Sequence, residues 1–411
     1  MPSLTVVDRA NQPAVPDLAA FPAVRPAGLY VHVPFCFHKC HYCDFYSITR
    51  QSPQRMERFV DLVLAEADLW HQSPLELRPD TVFFGGGTPS LLPADAMARL
   101  LAGLAERFDL SAVREWTVEV NPATADRSYF RTMRAMGVDR VSLGAQSFDQ
   151  SELAMLERHH NPGDVAQALQ WAREAGFKRL SVDLIYAIPG QTLESWRRSL
   201  EAAVALETEH LSCYGLTYEP NTTLAVRRRL GRVRAAGDDL ELAMLCATRR
   251  LLSDAGRPAY EISNYAIPGR ESLHNLGYWS GESYLGLGPS AASHIDGRRF
   301  RNQPHLGRWE EAVSAGRLPV IEFEHLSPRQ RAGELAMLNL RLERGIDFAD
   351  FARRTGLDAQ EVFSDQIQRL VAVGLLCLTE SSLRLADNAL SVADGVAGEF
   401  LQVSLDENGR C

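Results

Sequence analysis

The sequence predicts an α/β fold: a partial barrel of six parallel βα units, followed by a small C-terminal α+β domain of winged-helix type. Three observations predict it. From Gly28 onward, short apolar runs alternate with longer stretches of helical period, the mark of parallel βα units. Polar and glycine-rich motifs recur where successive strands should end, the edge at which such sheets build their sites. Near Leu326 the alternation stops, and short helical segments lead into a hairpin-like run.

The expected strands are Gly28–Val33, Thr81–Phe84, Trp116–Val120, Arg140–Gly144, Leu180–Ile185 and Leu211–Leu216. Between them lie Met56–Trp70, Ala94–Phe108, Arg127–Met136, Pro162–Ala175 and Leu193–Ala205, with apolar residues three and four apart as a helix face requires. Six units fall short of the eight that close a barrel, so the barrel is expected to be open. The segment LSPRQRAGELAMLNLRLERGIDFADFARRTGLD reads as short helices broken by Gly and Asp, and VGLLCLTESSLRLAD reads as a β-hairpin. The expected organisation is a flexible Pro- and Ala-rich extension over 1–27, the barrel over 28–220, an intervening region over 221–325 and the C-terminal domain over 326–411.

Composition excludes several classes. A chain of 411 residues that is 45% hydrophobic and 23% charged can bury a substantial core. A net charge of -9 argues against a nucleic-acid surface, which needs a basic excess. The run Arg227-Arg228-Arg229 reads as a solvated helix face. Seven cysteines without a small-scaffold pattern argue against an oxidising compartment. With neither a long apolar run nor a signal-like start, the expected location is the cytoplasm.

Three of the cysteines fall within eight residues: Cys36, Cys40 and Cys43, in HVPFCFHKCHYCDFYS. A 4Fe-4S cluster normally takes four thiolates, so three leave one iron open to a small molecule, as catalytic zinc sites keep an open position. The alternative is a zinc knuckle completed by His38 or His41, although structural zinc ligands come as spaced pairs and no second pair follows. At the strand ends, GGGTPS (Gly85 to Ser90) offers backbone that a ligand can approach closely. Glu119 precedes Asn121-Pro122 on the third strand, Gln146-Ser147 ends the fourth, and Asp183 lies on the fifth. Each alone fits a cap or a core hydrogen bond. Four in register at successive strand ends point to a site.

The combination YVHVPFCxxxCxxCDF, FFGGGTPS, EVNP, RVSLGAQSF and DLIYAIPGQT resembles the radical S-adenosylmethionine superfamily, and within it the oxygen-independent coproporphyrinogen III oxidase-like family. The likeness runs over nearly the whole chain from residue 28. It implies a partial (β/α)6 barrel of the radical SAM type, with a 4Fe-4S cluster on Cys36, Cys40 and Cys43. It further implies that S-adenosylmethionine chelates the open iron and is cleaved to a 5'-deoxyadenosyl radical, so that the cofactors carry the hard chemistry. By the same resemblance Tyr30 and Tyr42 flank cluster and cofactor, and Gly86, Gly87 and Thr88 meet the methionyl end. Glu119, Gln146, Arg158 and Asp183 match positions that bind S-adenosylmethionine, with Gly215 a looser match. The residue types suit the roles: carboxylates accept from ammonium and hydroxyl groups, and Arg158 can pair a carboxylate.

Within this family the oxidases resemble CxxxCxxCxC, whereas this chain has Cys43-Asp44-Phe45. Phe45 stands in place of the fourth cysteine, and this departure, with the short N-terminal extension, resembles the heme chaperone (HemW) branch. The run HNLGYW is similar to that branch's HNxxYW heme-binding motif, which implies His274, Asn275, Tyr278 and Trp279 as heme residues. Imidazole is an ordinary heme ligand and aromatic rings line macrocycle faces; a histidine hydrogen-bonded in a packed loop is the other reading. For His294, a ligand role and service to the turn at Asp296-Gly297 are equally open. The resemblance therefore implies a heme chaperone that binds the cluster, S-adenosylmethionine and heme and hands heme to apo-proteins, membrane respiratory enzymes among them. Homodimerisation and peripheral contact with the inner membrane face are further expectations. The rival is a radical enzyme acting on a tetrapyrrole, an oxygen-independent coproporphyrinogen III oxidase or a heme-degrading methyltransferase. Phe45 and HNLGYW favour the chaperone, and no catalytic residue is assigned.

Overall fold

The computed structural model describes residue 18, residues 21–49 and residues 51–401. Six parallel strands follow one another in space as they do in sequence: β1 (Gly28–Val33), β2 (Thr81–Gly86), β3 (Glu115–Val120), β4 (Arg140–Gln146), β5 (Arg179–Tyr186) and β6 (His210–Gly215). The crossover helices are α1 (Pro53–Trp70), α2 (Ala94–Arg107), α3 (Arg127–Ala135), α4 (Gln150–Met155), α5 (Pro162–Glu174) and α6 (Leu193–Ala205). All the expected elements of the barrel are present, with ends moved by a few residues. The unexpected α4 is six residues long, too short to display a helical period.

Local chemistry explains the boundaries. Ser52 caps α1 by accepting from the Arg55 N–H at 3.3 Å, with Pro53 in the first turn, and Thr192 with Ser195 forms a capping box on α6. Side chains of a strand alternate between faces. One set, including Val31, Val82, Phe84, Val118, Val141, Leu143, Val182 and Leu211, is buried in the core shared with Phe59, Val63 and Trp70 of α1 and Leu100 and Leu104 of α2. The other set, including Tyr30, Glu119, Ser142, Asp183 and Ser212, lines the concave face and is free to be polar.

The sheet continues past the six strands to eleven. After α7 (Thr223–Arg229) and α8 (Asp238–Asp254), β7 (Asn264–Ala266) pairs antiparallel with β6. After α9 (Leu273–Trp279), β8 (Tyr284–Leu287) pairs parallel with β1 on the opposite edge. Then β9 (Ala292–Ile295), β10 (Arg298–Asn302) and, after α10 (Leu306–Ser314), β11 (Val320–His325) extend it as an antiparallel meander. Buried Glu66 of α1 ties this extension down, accepting from Gly288 N–H and Trp309 Nε1–H at 2.9 Å each and from Asn302 Nδ2–H at 2.5 Å. Burial pushes its carboxyl up to about 7 against these donors.

Of the expected extension over 1–27, residues 1–17, 19 and 20 lie outside the described residues. Phe21 is buried, edge-on against Trp70 and Phe300. The C-terminal segment has its own core, including Leu340, Ile346, Phe351, Phe363, Ile367, Leu383 and Phe400. It runs α11 (Pro328–Asn339), β12 (Ile346–Asp347), α12 (Phe348–Thr355), α13 (Ala359–Val362), α14 (Ser364–Ala372), β13 (Leu376–Leu378) and β14 (Ser382–Leu385), ending in α15 (Ala393–Gly398). Its three strands pair in the order β12-β14-β13, the helices-then-hairpin arrangement expected of it.

Candidate functional site

The cysteine loop leaves β1 directly and is pinned at both ends. Cys36 N–H donates to Ile48 O at 3.0 Å and Ile48 N–H to Pro34 O at 2.8 Å. From the next strand, Gly87 N–H donates to Val33 O at 2.8 Å and Thr88 N–H to Phe35 O at 2.7 Å. The glycines are required here. A Cβ on Gly87 would stand 2.7 Å from Phe35 O and 2.8 Å from Val33 O, and Gly86, at φ +103°, has the His32 ring where its Cβ would be. Thr88 Oγ1 donates to Cys36 Sγ at 3.6 Å. Arg158, just beyond α4, donates to Gly144 O at 2.5 Å and to Cys40 Sγ at 3.7 Å, while its Nε has no partner.

Cys36 is buried, and Cys40 and Cys43 are half-buried. Burial pushes the Cys36 thiol up, opposed by hydrogen bonds from Thr88 and Ser47, and pushes Cys43 up to about 11. Thiolates here therefore call for positive charge beyond Arg158. Tetrahedral zinc at ~2.3 Å from each sulfur would hold its ligands about 3.8 Å apart. Among the described residues the three sulfurs do not all lie within 4.8 Å of one another, nor do they with His38 or His41. Three soft thiolates on one loop, with Phe45 and not a fourth cysteine following them, suit an iron-sulfur cluster that keeps one iron open.

The wall below the loop carries two half-buried carboxyls. Asp183 accepts from Ser142 Oγ with both oxygens at 3.0 Å and from Ser212 Oγ at 2.7 Å. Burial nevertheless raises it to about 6. Glu119 is raised to about 8 by burial and by the Asp183 charge, with the Gly86 N–H pulling the other way. Beside them Tyr30 Oη lies 3.0 Å from His32 Nδ1, and His32 Nε2 lies 2.9 Å from Tyr46 O. Since Tyr46 O only accepts, the His32 proton is on Nε2, and burial keeps the ring neutral by lowering it to about 4. Gln146 takes a left-handed φ of +66° where the β4–β5 register slips, a conformation that non-glycine residues adopt at a cost, commonly at functional sites. Tyr42 packs against the small cluster of Leu156, Ile185 and Leu216, and Gly215 ends β6 where a Cβ would stand 3.0 Å from the Glu241 carboxylate and 3.2 Å from the Tyr186 ring.

Thus the cysteines, Tyr30, Tyr42, Gly86, Gly87, Thr88, Glu119, Gln146, Arg158, Asp183 and Gly215 gather at the barrel mouth and inner wall. His32, Ser142 and Ser212 belong with them and were not singled out. The signal was their period-two placement as polar residues within otherwise apolar strands.

The HNLGYW residues lie elsewhere. Helix α9 crosses the opposite end of the barrel, where β2, β3 and β4 begin with Thr81, Glu115 and Arg140. His274, expected as a heme ligand, is buried with both ring nitrogens bonded: Nδ1 to Thr81 Oγ1 at 2.8 Å and Nε2 to Tyr278 Oη at 2.9 Å. Its ring stacks on Phe83 at 5.0 Å, and burial lowers it to about 3. The N–H groups of Leu273 and His274 donate to Glu115 at 3.1 Å each, and Arg140 Nε reaches the same carboxylate at 3.0 Å. Nearby, His210 bonds Ser181 Oγ at 2.7 Å and Tyr260 Oη at 2.8 Å. Asn275 N–H donates to the Ser272 cap, and Trp279 lies under the Arg341 guanidinium at 4.6 Å. These groups form a hydrogen-bonded floor with no free imidazole nitrogen. His294 serves its turn, accepting from Gly297 N–H at 3.2 Å.

Residues 30–203 match the family model of the radical SAM superfamily, and residues 326–392 match that of the HemN C-terminal domain. The chain is 36% identical over 389 residues to the heme chaperone HemW of Mycobacterium tuberculosis, covering 94% of this chain and 97% of that protein. It is 32% identical to the heme chaperone HemW of Bacillus subtilis, covering 90% and 98%. The chain belongs to the HemW family of heme chaperones. Among solved structures, coproporphyrinogen III oxidase (HemN) from Escherichia coli superposes with a TM-score of 0.80 over 93% of this chain and 92% of that one, at 23% identity, so the two share a fold. Membership in the radical SAM superfamily implies a 4Fe-4S cluster and S-adenosylmethionine as cofactors. Among the described residues no helix is long and apolar enough to cross a membrane.

Proposed function

We propose that the chain holds its 4Fe-4S cluster on Cys36, Cys40 and Cys43, takes S-adenosylmethionine into the cup below, and binds heme for transfer to apo-proteins, including membrane respiratory enzymes. The observation that carries the cofactor half is charge. Two half-buried carboxyls with raised pKa values, Glu119 and Asp183, share a cup with Arg158 as the nearby cation. The ammonium and sulfonium of S-adenosylmethionine would supply the missing positive charge. Glu119 and Asp183 then accept from ammonium and ribose hydroxyls, Arg158 pairs the carboxylate, and the backbone from Gly86 to Thr88 lies along the methionyl end. Tyr30, Tyr42, Gln146 and Gly215 shape the wall and exclude water. When bound, the cluster and S-adenosylmethionine supply one-electron chemistry at the sulfonium carbon.

Family membership supports the heme half, as does Phe45 standing 64% exposed where the oxidases carry a fourth cysteine. The test is anaerobic purification, rebuilding of the cluster, and heme titration of the wild type and of His274→Ala. Because both ring nitrogens of His274 are bonded within the fold, we expect heme stoichiometry to survive in the folded variant. Loss of heme with the cluster retained would restore His274 as the ligand. Failure of the wild type to take up heme, or turnover of coproporphyrinogen III, would overturn the chaperone reading.

A further inference from the structure

A second set of metal-ligating side chains lies on the outer lip of the cysteine loop, and the cluster has no use for it. His38 and His41 bracket Lys39-Cys40, while Glu157 and His159 bracket Arg158. Arg158 turns inward to Cys40 and Gly144; its two neighbours meet His38 instead. Ligand atoms of His38, Glu157 and His159 all lie within 4.8 Å of one another, and among the described residues no other group of three does so. His38 Nε2 is 3.9 Å from Glu157 Oε1, and the His38 and His159 rings meet edge to face at 4.7 Å.

Three further observations mark this group as more than a chance surface contact. His38 Nε2 is shielded from solvent and has no hydrogen-bond partner, a condition that native proteins rarely tolerate without a reason. Glu157 is held at a left-handed φ of +57°, which a non-glycine residue adopts at a cost. The second carboxylate oxygen is held in turn: His41 Nε2 stands 3.4 Å from Glu157 Oε2, and Arg227 donates to His41 Nδ1 at 3.3 Å. Since Arg227 can only donate, the His41 proton is on Nε2, where it faces the carboxylate. This is the outer support that orients metal ligands.

We propose that His38, Glu157 and His159 form a site for a divalent first-row transition cation, with His41 as a positioning residue. Two imidazoles and one carboxylate suit zinc or iron(II) and leave coordination positions open. Bound ligand atoms would sit about 2.0–2.2 Å from the ion, which the partly exposed side chains reach by rotation. The cation ties the cysteine loop to the turn between α4 and α5 and sets a double positive charge beside Cys40.

The experiment uses the full chain with its cluster rebuilt, so that the three thiols are occupied, titrated anaerobically with Co2+ alone. The expected result is one Co2+ per chain with visible ligand-field absorption, displaced by Zn2+. Stoichiometric binding should be lost in His159→Ala and in Glu157→Gln while cluster absorption and melting temperature are kept. His41→Ala should weaken binding by roughly ten- to a hundredfold, and His41→Gln, which retains an N–H donor, should recover most of it. Absence of one-to-one binding in the wild type, or undiminished binding in either ligand variant, would overturn the proposal. Should one ligand variant lose its cluster, the other carries the same decision.

Discussion

Replacing Glu119 by Gln should abolish the pH dependence that this carboxyl imposes on the cofactor-free protein. Its pKa rises from the ordinary 4.5 to about 8, first through burial and then through the Asp183 charge. Between those values the folded chain holds a proton that the unfolded chain has released, so stability falls as pH rises through this window and levels off above it. The full shift corresponds to about 5 kcal/mol. Asp183 shares the repulsion and Glu119 is only partly enclosed, so we take the usable effect as on the order of 3 kcal/mol. Gln has the same shape and never ionises.

The assay is urea unfolding of cluster-free, cofactor-free protein, wild type against Glu119→Gln, at a series of pH values. The two should be nearly equal below pH 4.5, and the variant should gain on the wild type up to about pH 8. Calorimetric binding of S-adenosylmethionine to cluster-loaded protein should show the complement: affinity that rises with pH in the wild type and loses that rise in the variant. A stability difference independent of pH, or a wild type that gains on the variant as pH rises, would refute the charge argument.

Gly87→Ala should force the cysteine loop away from β2, because its Cβ meets two backbone oxygens within 2.8 Å; the expected loss is in cluster content, read from visible absorption and iron analysis, with the melting temperature lowered far less. Arg140→Met should cost roughly 3–5 kcal/mol in urea unfolding, since it strands the Glu115 carboxylate in a fully buried floor. Glu115→Leu combined with Arg140→Met should recover part of that loss, and a double variant as unstable as the sum of its singles would argue against the pairing.

The barrel was legible because each of its strands is buried on the helix side and so reads as an apolar run, while its helices are long enough to show a period. The sheet extensions were not: β7 is three residues long and β10 reads RRFRN, and both are held by partners distant in sequence, such as Glu66. The cup was legible because GGGTPS, Glu119 and Asp183 occupy strand ends, where side-chain roles follow from topology. HNLGYW lies on a helix, α9, whose place in the fold its sequence does not reveal. The motif names residue types, but only the fold shows that His274 meets Thr81 and Tyr278. Glu157 and His159 carried no pattern at all, since their meeting with His38 depends on how two loops cross.

The hydrogen-bonded floor has a consequence for where a cofactor can lie. At the end where the strands begin, the polar groups of α9, Glu115, Arg140 and His210 are committed to hydrogen bonds within the fold, so the polar groups left for a small cofactor are those toward the other end, beside the cysteine loop. A cofactor held there would lie beneath Cys36, Cys40 and Cys43, under a loop that presents Phe37 and Phe45 to solvent.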